Sequence, residues 1–330
     1  MTYTVGFLGR GRLGLRVLEG LLADPNVRVP VVICCGASPE VEDVSERMRS
    51  LAAERGIDFF ATNRIDAPER LAAYRLDLAV AMLWLHTLEA PVIATARDGF
   101  LNFHGGHLPK YRGNACANWA ILNGEPHIGA TVHVMAPGSL DSGPVVIQEL
   151  VPLGPRSTIG EVTAEMEERG VRLVLASVEA FRTGTAAPVP QDEGQASYCY
   201  PRLPRDGEID WQADAAAIDR LVRASGRPYP GAYSWFMDQG GGGAVRKLTI
   251  WSAHVESHPL GDFHAVPGHV LRLDRRARTA IVCGDGKLLV LDEIEVDGAA
   301  TDPATAFRTV RQRMGLDLSL LAARAAGWSG

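Results

Sequence analysis

The sequence contains few of the features that mark secreted or membrane-spanning proteins. Its 330 residues include only five cysteines, and no two of them form a Cys-x-x-Cys pair. This scarcity argues against a disulfide framework or a structural zinc site and favours a reducing environment. The longest apolar run, at residues 78–85, is too short to span a bilayer, and the first residues lack the apolar core of a secretion signal. We therefore expect a cytoplasmic protein with no membrane partner and no metal.

An excess of basic residues is also absent. The net charge is −6, and residues 201–330 carry 16 basic and 16 acidic side chains. Residues 39–46 are acidic. Because neutralisation of phosphates by Lys and Arg dominates the affinity for nucleic acid, this balance disfavours a nucleic-acid partner.

The patterning of the chain predicts two domains. Residues 1–183 alternate short β-branched runs with helical segments, which predicts a Rossmann-like α/β domain with a mostly parallel sheet. Residues 184–200 are small, polar and contain Pro and Gly, so we expect a linker there. In residues 201–330 one helical segment precedes several strand-like runs separated by turns. This pattern predicts a small, mostly β domain, with an OB-like barrel as one form and a hairpin loop at the glycine run 240–243.

A glycine motif at residues 9–14 (GRGRLG) lies between the first predicted strand and the first predicted helix. This is the position of a dinucleotide-binding turn, in which the backbone approaches a pyrophosphate. However, the second predicted strand ends in Cys34, Cys35 and Gly36, where an acid should hold the ribose. An NAD(P)-dependent oxidoreductase and a tight turn without a ligand are both open at this point.

Three polar residues form a more informative pattern. Asn102 and His104 alternate along one predicted strand, so their side chains point to the same face near its carboxyl end. Asp141 lies in a glycine-rich loop after a later strand. An amide that donates to an oxyanion, an imidazole and a carboxylate that orients it would suit acyl or formyl transfer. Taken singly, each residue is also explained by turn chemistry or a structural hydrogen bond.

These residues resemble the signature of the 10-formyltetrahydrofolate-dependent formyltransferases. Asn-x-His at 102–104, Leu-Pro at 108–109 and Asp-x-Gly at 141–143 follow the order and spacing of that family. The resemblance continues through PYPGA at 228–232 and KLTIWS at 247–252, which are similar to the amino-sugar branch. One departure is His107, because the family commonly has Ser-Leu where this chain has Gly-His.

The resemblance implies that 10-formyltetrahydrofolate donates a formyl group to a primary amine of a small acceptor. Asn102 and a protonated His104 would stabilise the oxyanion of the tetrahedral intermediate, and Asp141 would keep His104 charged. Residues of two loops would bind the pteridine of the donor, namely Leu83, Trp84, Leu85, Ser139, Leu140 and Asp141. Four basic residues and one further histidine would contact the acceptor, namely Arg10, Arg12, Lys110, Arg112 and His107.

The identity of the acceptor is left with several alternatives. A nucleotide-linked amino sugar is favoured by the resemblance of the C-terminal part. Methionyl-tRNA, a hydroxyornithine-type amine, a peptide-synthesis intermediate and, in a folate deformylase, water are the others. A non-catalytic binding protein would have lost Asn102, His104 or Asp141, and none is lost. Dimer formation through the second domain is also open.

Overall fold

The computed structural model divides into two compact units. It describes residues 2–36, 41–238, 243–258, 263–273, 278–307, 309, 311–316, 321–322 and 325–326. Unit 1 comprises Met1–Ala117, Pro126–Gly154 and Glu161–Pro201. Unit 2 comprises Asn118–Glu125, Pro155–Gly160 and Arg202–Gly330.

Unit 1 contains ten strands in the described residues. In chain order these are β1 (Tyr3–Gly9), β2 (Val27–Arg28), β3 (Val31–Cys34), β4 (Asp58–Ala61), β5 (Leu78–Met82), β6 (Phe100–His104), β7 (Arg112–Gly113), β8 (His127–Val134), β9 (Val145–Pro152) and β10 (Tyr198–Cys199). The helices up to residue 183 are α1 (Gly11–Ala23), α2 (Ser45–Glu54), α3 (Pro68–Ala72), α4 (Ala90–Ile93), α5 (Cys116–Leu122) and α6 (Ile159–Thr183).

The main sheet of unit 1 has the order β4-β3-β1-β5-β6-β8-β9, with β2 beside β1. The strands from β4 to β6 run parallel, whereas β8 and β9 are antiparallel. The prediction of a mostly parallel α/β domain is therefore confirmed. Strands β1, β3 and β5 are buried along their whole length, as strands covered on both faces by helices should be.

Two strands of this main sheet differ from the sequence prediction for physical reasons. The predicted strand at residues 27–34 is broken into β2 and β3 at Pro30, which has no N–H to donate to a neighbouring strand. Strand β9 was not predicted. Its residues, VVIQELVP, do not alternate between apolar and polar, which is the pattern by which half-buried strands are recognised.

Unit 2 is a mostly antiparallel β structure, as predicted. Its elements are a 3₁₀ turn (Pro204–Gly207), α7 (Ala215–Ser225), β11 (Ala232–Met237), β12 (Val245–Glu256), β13 (Val270–Arg272), β14 (Thr279–Val282), β15 (Leu288–Val296), β16 (Ala299–Thr301) and α8 (Pro303–Ala306). A further 3₁₀ turn, Glu193–Gln195, belongs to unit 1. The sheet order is β11-β12-β15-β14-β13, with β16 beside β15.

The edges of this second sheet are joined by residues 312–315. Met314 bridges to Phe236 on β11, and Arg313 bridges to His269 beside β13. The buried amide of Gln312 donates to the carbonyl of Met237 at 2.8 Å. This segment closes the sheet in the manner of a barrel, which leaves neither of these edges unpaired.

The predicted hairpin at residues 240–243 falls largely outside the described residues, which omit 239–242. The flanking strands pair as a hairpin requires, with Met237 opposite Val245. Among the helices that the structure describes, none has both the length and the apolar character needed to cross a membrane.

The packing of unit 1 predicts that two phenylalanines of the same sheet contribute very differently to stability. Phe7 on β1 is 0% exposed, whereas Phe60 on the edge strand β4 is 42% exposed. We expect Phe7→Ala to lower the free energy of unfolding by about 3–5 kcal/mol, because it leaves a cavity in a close-packed interior. Phe60→Ala, the matched control, should cost about 1 kcal/mol or less. Urea unfolding followed by circular dichroism measures both, and equal losses would contradict this assignment of the core.

Candidate active site

Strand β6 places Asn102 and His104 on one face of the sheet. The strand lies between β5, to which it is parallel, and β8, to which it is antiparallel. In the antiparallel register Asn102 is opposite His133, and His104 is opposite Thr131. Directly opposed residues of an antiparallel pair have neighbouring side chains. The sheet itself therefore brings a second histidine beside the predicted amide and imidazole.

The loop that follows β8 carries Asp141 to the same place. One carboxylate oxygen, Oδ2, lies 3.4 Å from Nδ1 of His104 and accepts a hydrogen bond of 2.9 Å from the backbone N–H of Gly113. The other, Oδ1, lies 3.4 Å from both Nε2 of His133 and Nδ2 of Asn102. The structure thus brings together the three residues that the sequence singled out.

Sequence reasoning missed His133. Its Nε2 lies 3.1 Å from Nδ2 of Asn102, and its Nδ1 lies 3.1 Å from the carbonyl oxygen of Val134. The same Nε2 lies 3.4 Å from Oδ1 of Asp141, so the ring of His133 contacts both the amide and the carboxylate and fixes their positions. The sequence shows a histidine in a strand-like run, but it does not show the register that places this histidine opposite Asn102.

The ring of His104 is held between two acceptors. Its Nε2 lies 2.6 Å from the carbonyl oxygen of Tyr111, so this nitrogen carries a proton and donates. The thiol of Cys116 donates to the same carbonyl at 3.0 Å. Burial lowers the pKa of His104, and the charge of Asp141 and the bond to Tyr111 raise it only in part. The uncharged ring therefore dominates at neutral pH, with Nδ1 available to take up a proton beside Asp141. This charge state differs from the protonated His104 that the resemblance implies.

Asp141 keeps its charge despite its burial. Removal from water raises the pKa of this carboxyl, but the hydrogen bond with His133, the positive charge that His104 carries once it is protonated at acid pH, and the N–H of Gly113 outweigh that effect. The net pKa lies below the ordinary value for aspartate. Within the part of the chain that the structure describes, no group of three His, Cys, Asp or Glu residues is arranged to hold a metal ion.

The two loops that were predicted to bind a pteridine lie next to each other. The backbone N–H of Gly138 donates to the carbonyl of Leu88 at 3.0 Å, which ties the loop after β8 to the loop after β5. Between them these loops expose three leucines, Leu83, Leu85 and Leu140, by 37%, 41% and 47%. Exposed apolar side chains in one region are a common sign of a binding surface.

A buried donor in the same region has no protein partner. The indole N–H of Trp84 is buried and makes no hydrogen bond with any residue that the structure describes. Because a buried unsatisfied N–H costs free energy, such a group is a candidate for a hydrogen bond to a ligand. Leu83, the preceding residue, has a φ of 54°, a strained conformation for a leucine.

Five residues were predicted to contact the acceptor substrate, and the side chains of three of them form hydrogen bonds with other residues of the protein. Arg10 donates to the carbonyls of Leu83 and Gly36, both at 3.0 Å, and so braces the loop after β5. Arg12 donates to Glu167 at 2.8 Å. The guanidinium of Arg112 is 1% exposed and directs all five N–H donors at protein acceptors.

The remaining two predicted acceptor residues differ in their surroundings. Lys110 is exposed to solvent. The ring of His107 packs edge-on against that of His127, with 5.6 Å between the ring centroids.

The glycines of the 9–14 motif face protein atoms. A Cβ on Gly11 would lie 2.6 Å from the side chain of Val41 and 3.2 Å from that of Leu83, and a Cβ on Gly9 would lie 2.8 Å from the carbonyl of Met82. These glycines are therefore explained by close packing between β1, α1 and the neighbouring loops. This packing, together with a second strand that lacks a ribose-binding acid, gives no support to an oxidoreductase.

Comparison with known protein families identifies the class of this protein. Residues 38–178 match the model of the formyl transferase domain, and residues 203–311 match the model of the formyl transferase C-terminal domain. The two matches together cover more than half of the chain. The protein therefore belongs to the formyl transferase family of enzymes.

Solved structures of similar fold include sugar N-formyltransferases. One is WlaRD, a sugar 3N-formyl transferase crystallised with dTDP and 5-N-formyl-THF, with 14% identity over 88% of this chain and 98% of that chain, and a TM-score of 0.62. Another is the N-formyltransferase of Helicobacter canadensis in complex with folinic acid and dTDP-3-aminofucose, with 17% identity, coverage of 88% and 99%, and the same TM-score.

A third similar structure is HypX from Aquifex aeolicus in complex with tetrahydrofolic acid. It is 20% identical over 98% of this chain but only 47% of its own chain, with a TM-score of 0.55. Because all three identities are 20% or lower, these similarities show that the fold is shared.

The environment of His104 predicts a pH dependence of stability. Because burial lowers the pKa of His104, the unfolded chain binds a proton at this ring at a higher pH than the folded chain does. The free energy of unfolding should therefore fall as the pH drops below about 6.5, the ordinary pKa of histidine, towards the folded pKa. Between pH 7.5 and 5.5, we expect the free energy of unfolding to fall less in the His104→Gln variant than in the unchanged protein. Urea unfolding at both pH values measures this difference, and equal slopes would contradict the burial argument.

Proposed function

We propose that this enzyme transfers a formyl group from 10-formyltetrahydrofolate to a primary amine of a small acceptor, and that the acceptor is a nucleotide-linked amino sugar. The observation that carries the proposal is the convergence of Asn102, His104 and a charged, buried Asp141 at the end of β6. In a formyl transferase, this is the set of groups that formyl transfer to an amine needs.

In the proposed reaction the acceptor nitrogen forms a bond to the formyl carbon, and the bond from that carbon to N10 of the folate then breaks. Asn102 donates its amide N–H to the developing oxyanion, in the orientation that His133 sets. His104 takes the proton of the amine at Nδ1, and Asp141 stabilises the resulting imidazolium. The same proton then passes to N10 as the folate leaves, so His104 returns to its neutral form.

The proposed donor site consists of the loops after β5 and β8. The exposed leucines Leu83, Leu85 and Leu140 would cover the planar ring of the donor, and Ser139 and Asp141 would lie at the opposite side. Trp84 would supply the indole N–H that lacks a protein partner. Apolar walls with few polar groups are the usual composition of a site for a planar cofactor.

A nucleotide-sugar acceptor is supported by the fold comparisons rather than by a phosphate site in this chain. The similar enzymes were crystallised with dTDP and with dTDP-3-aminofucose. Of the predicted phosphate-binding residues, Lys110 is exposed and would be free to bind, whereas Arg112 is fully used by the protein. The balanced charge of residues 201–330 gives no support to tRNA.

A second candidate is a folate-dependent reaction with an acceptor other than a nucleotide-linked sugar. It is favoured by the similarity over 98% of this chain to HypX, which was crystallised with tetrahydrofolic acid. A cytoplasmic location and a dimer remain predictions.

The proposed mechanism predicts loss of turnover in three variants. Asn102→Ala, His104→Ala and Asp141→Asn should each reduce kcat by about a hundredfold or more, because each removes a group that acts only in the transition state. His254→Ala, which changes a half-exposed histidine on β12, is the control and should leave kcat unchanged. The assay follows tetrahydrofolate release with a panel of dTDP-linked amino sugars, hydroxyornithine and methionyl-tRNA. Near-normal transfer by His104→Ala would contradict the mechanism, and activity with methionyl-tRNA alone would replace the proposed acceptor.

Donor binding can be tested without knowledge of the acceptor. Folinic acid should raise the melting temperature of the protein, because a ligand that binds only the folded state stabilises it, whereas NAD and NADP should not. Trp84→Phe should weaken the binding of folinic acid, measured by calorimetry, by about 2- to 10-fold, the range expected for one lost hydrogen bond. Trp119→Phe, outside the proposed donor site, is the matched control. A shift with NAD or NADP alone would overturn the proposal.

A further inference from the structure

Residues 189–199, which we call the strap, lie against the loops of the candidate site, although the sequence predicts a linker there. At one end, Val189 and Val145 exchange two backbone hydrogen bonds of 2.8 Å. At the other end, β10 pairs in parallel with β7, and the N–H of Asn114 donates to the carbonyl of Cys199 at 3.0 Å. The strap is thus fixed at both ends to segments that carry site residues.

Gln191 of the strap holds the loop that carries Asp141. Its side-chain Nε2 donates to the backbone carbonyls of Asp141 and Gly143, at 2.8 and 2.7 Å. Asp141 has a φ of 50°, a conformation that costs an aspartate free energy and persists where its surroundings impose it. A Cβ at Gly143 would overlap the carbonyl oxygen of Val134, so the backbone of the loop packs directly against the end of β8. The two bonds from Gln191 therefore fix a strained segment.

Arg112 in turn orients the amide of Gln191. Its Nε and Nη2 donate to Oε1 of Gln191 at 3.1 and 2.8 Å, which leaves Nε2 facing the loop. The guanidinium is buried, and Glu193 of the strap supplies the opposite charge through two hydrogen bonds of 2.6 and 2.9 Å. A buried charge needs such a partner. A continuous chain of contacts therefore runs from Glu193 through Arg112 and Gln191 to Asp141.

We propose that Gln191 is a positioning residue, which Arg112 and Glu193 hold in place so that the carboxylate of Asp141 faces His104 and His133. Gln191 touches no group that reacts, and it acts on the backbone of Asp141. The effect on turnover rests on the proposed function, whereas the effect on the geometry of the carboxylate does not.

The geometry can be measured by the titration of His104 in histidine-labelled protein, by NMR. In Gln191→Leu, which keeps the size of the side chain and loses its hydrogen bonds, the carboxylate moves away and His104 titrates at a lower pH than in the unchanged protein. Asp141→Asn gives the limit of this effect, and the missing signal in His104→Gln assigns the resonance. Gln195→Leu is the matched control, because Gln195 lies in the same strap and, among the residues that the structure describes, its Nε2 donates to Asp192 and not to the loop of Asp141. An unchanged titration in Gln191→Leu, or an equal change in Gln195→Leu, overturns the proposal.

Turnover supplies a second readout. With an amine that the unchanged enzyme formylates, Gln191→Leu should lower kcat by roughly 10- to 100-fold, since a displacement of about 1 Å can cost about a hundredfold, while KM for 10-formyltetrahydrofolate stays the same. Gln191→Glu keeps an acceptor for Arg112 but loses both N–H donors, and it should show the same loss if Gln191→Leu does not fold. A normal kcat in a folded Gln191 variant refutes the positioning role. An unchanged protein that formylates no amine, together with the expected shift in titration, refutes only the proposed function.

Discussion

The candidate site depends on one buried carboxylate. Asp141 is removed from water by its loop, and such a charge is tolerated only because N–H groups surround it. The backbone of Gly113 supplies one donor, and the side chains of Asn102, His104 and His133 supply the remaining neighbours. These groups come from β6, β7, β8 and the following loop, so the position of one charge requires the sheet, its antiparallel edge and two loops to be correct together.

Backbone strain near this carboxylate points to the same dependence. Leu83, Tyr111, Ala115 and Asp141 are non-glycine residues with φ between 50° and 60°, and they lie on the loops that end β5, β6 and β8 or next to β7. Such conformations persist only where tertiary contacts impose them, and they concentrate at functional sites. Tyr111 presents its carbonyl to His104 as a result, and Leu83 presents its carbonyl to Arg10. The strain is therefore linked to the direction in which particular carbonyl groups point.

The sequence was sufficient for the parts of this arrangement that local pattern determines. Alternation along β6 predicted that Asn102 and His104 share a face, and the rhythm of strands and helices predicted the sheet. It was insufficient for His133, Gln191 and Arg112. The position of His133 depends on the register of β6 against β8, and the contact of Gln191 with Asp141 spans 50 residues along the chain. Arg112 looked like a surface cation because its charge is evident in the sequence, whereas its burial against Glu193 is a property of the fold alone. The strap looked like a linker for a similar reason, since Pro, Gly and small polar residues are also used where a chain lies along a surface without regular structure.

The protonation states of His104 and Asp141 determine which steps of the proposed reaction the site favours. Burial acts on both, lowering the pKa of His104 and opposing the charge of Asp141, but only Asp141 has enough donors to remain ionised. The resting site therefore contains a carboxylate beside the neutral imidazole of His104. A buried anion of this kind is stabilised by a cation, and two cations form there in turn during the proposed reaction. One is the acceptor nitrogen after the neutral amine has bonded to the formyl carbon, and the other is His104 after it takes up the proton of that nitrogen. The carboxylate thus favours formation of the bond to nitrogen and then favours movement of the proton to His104. Those are two successive requirements of formylation at nitrogen, and one charge meets both.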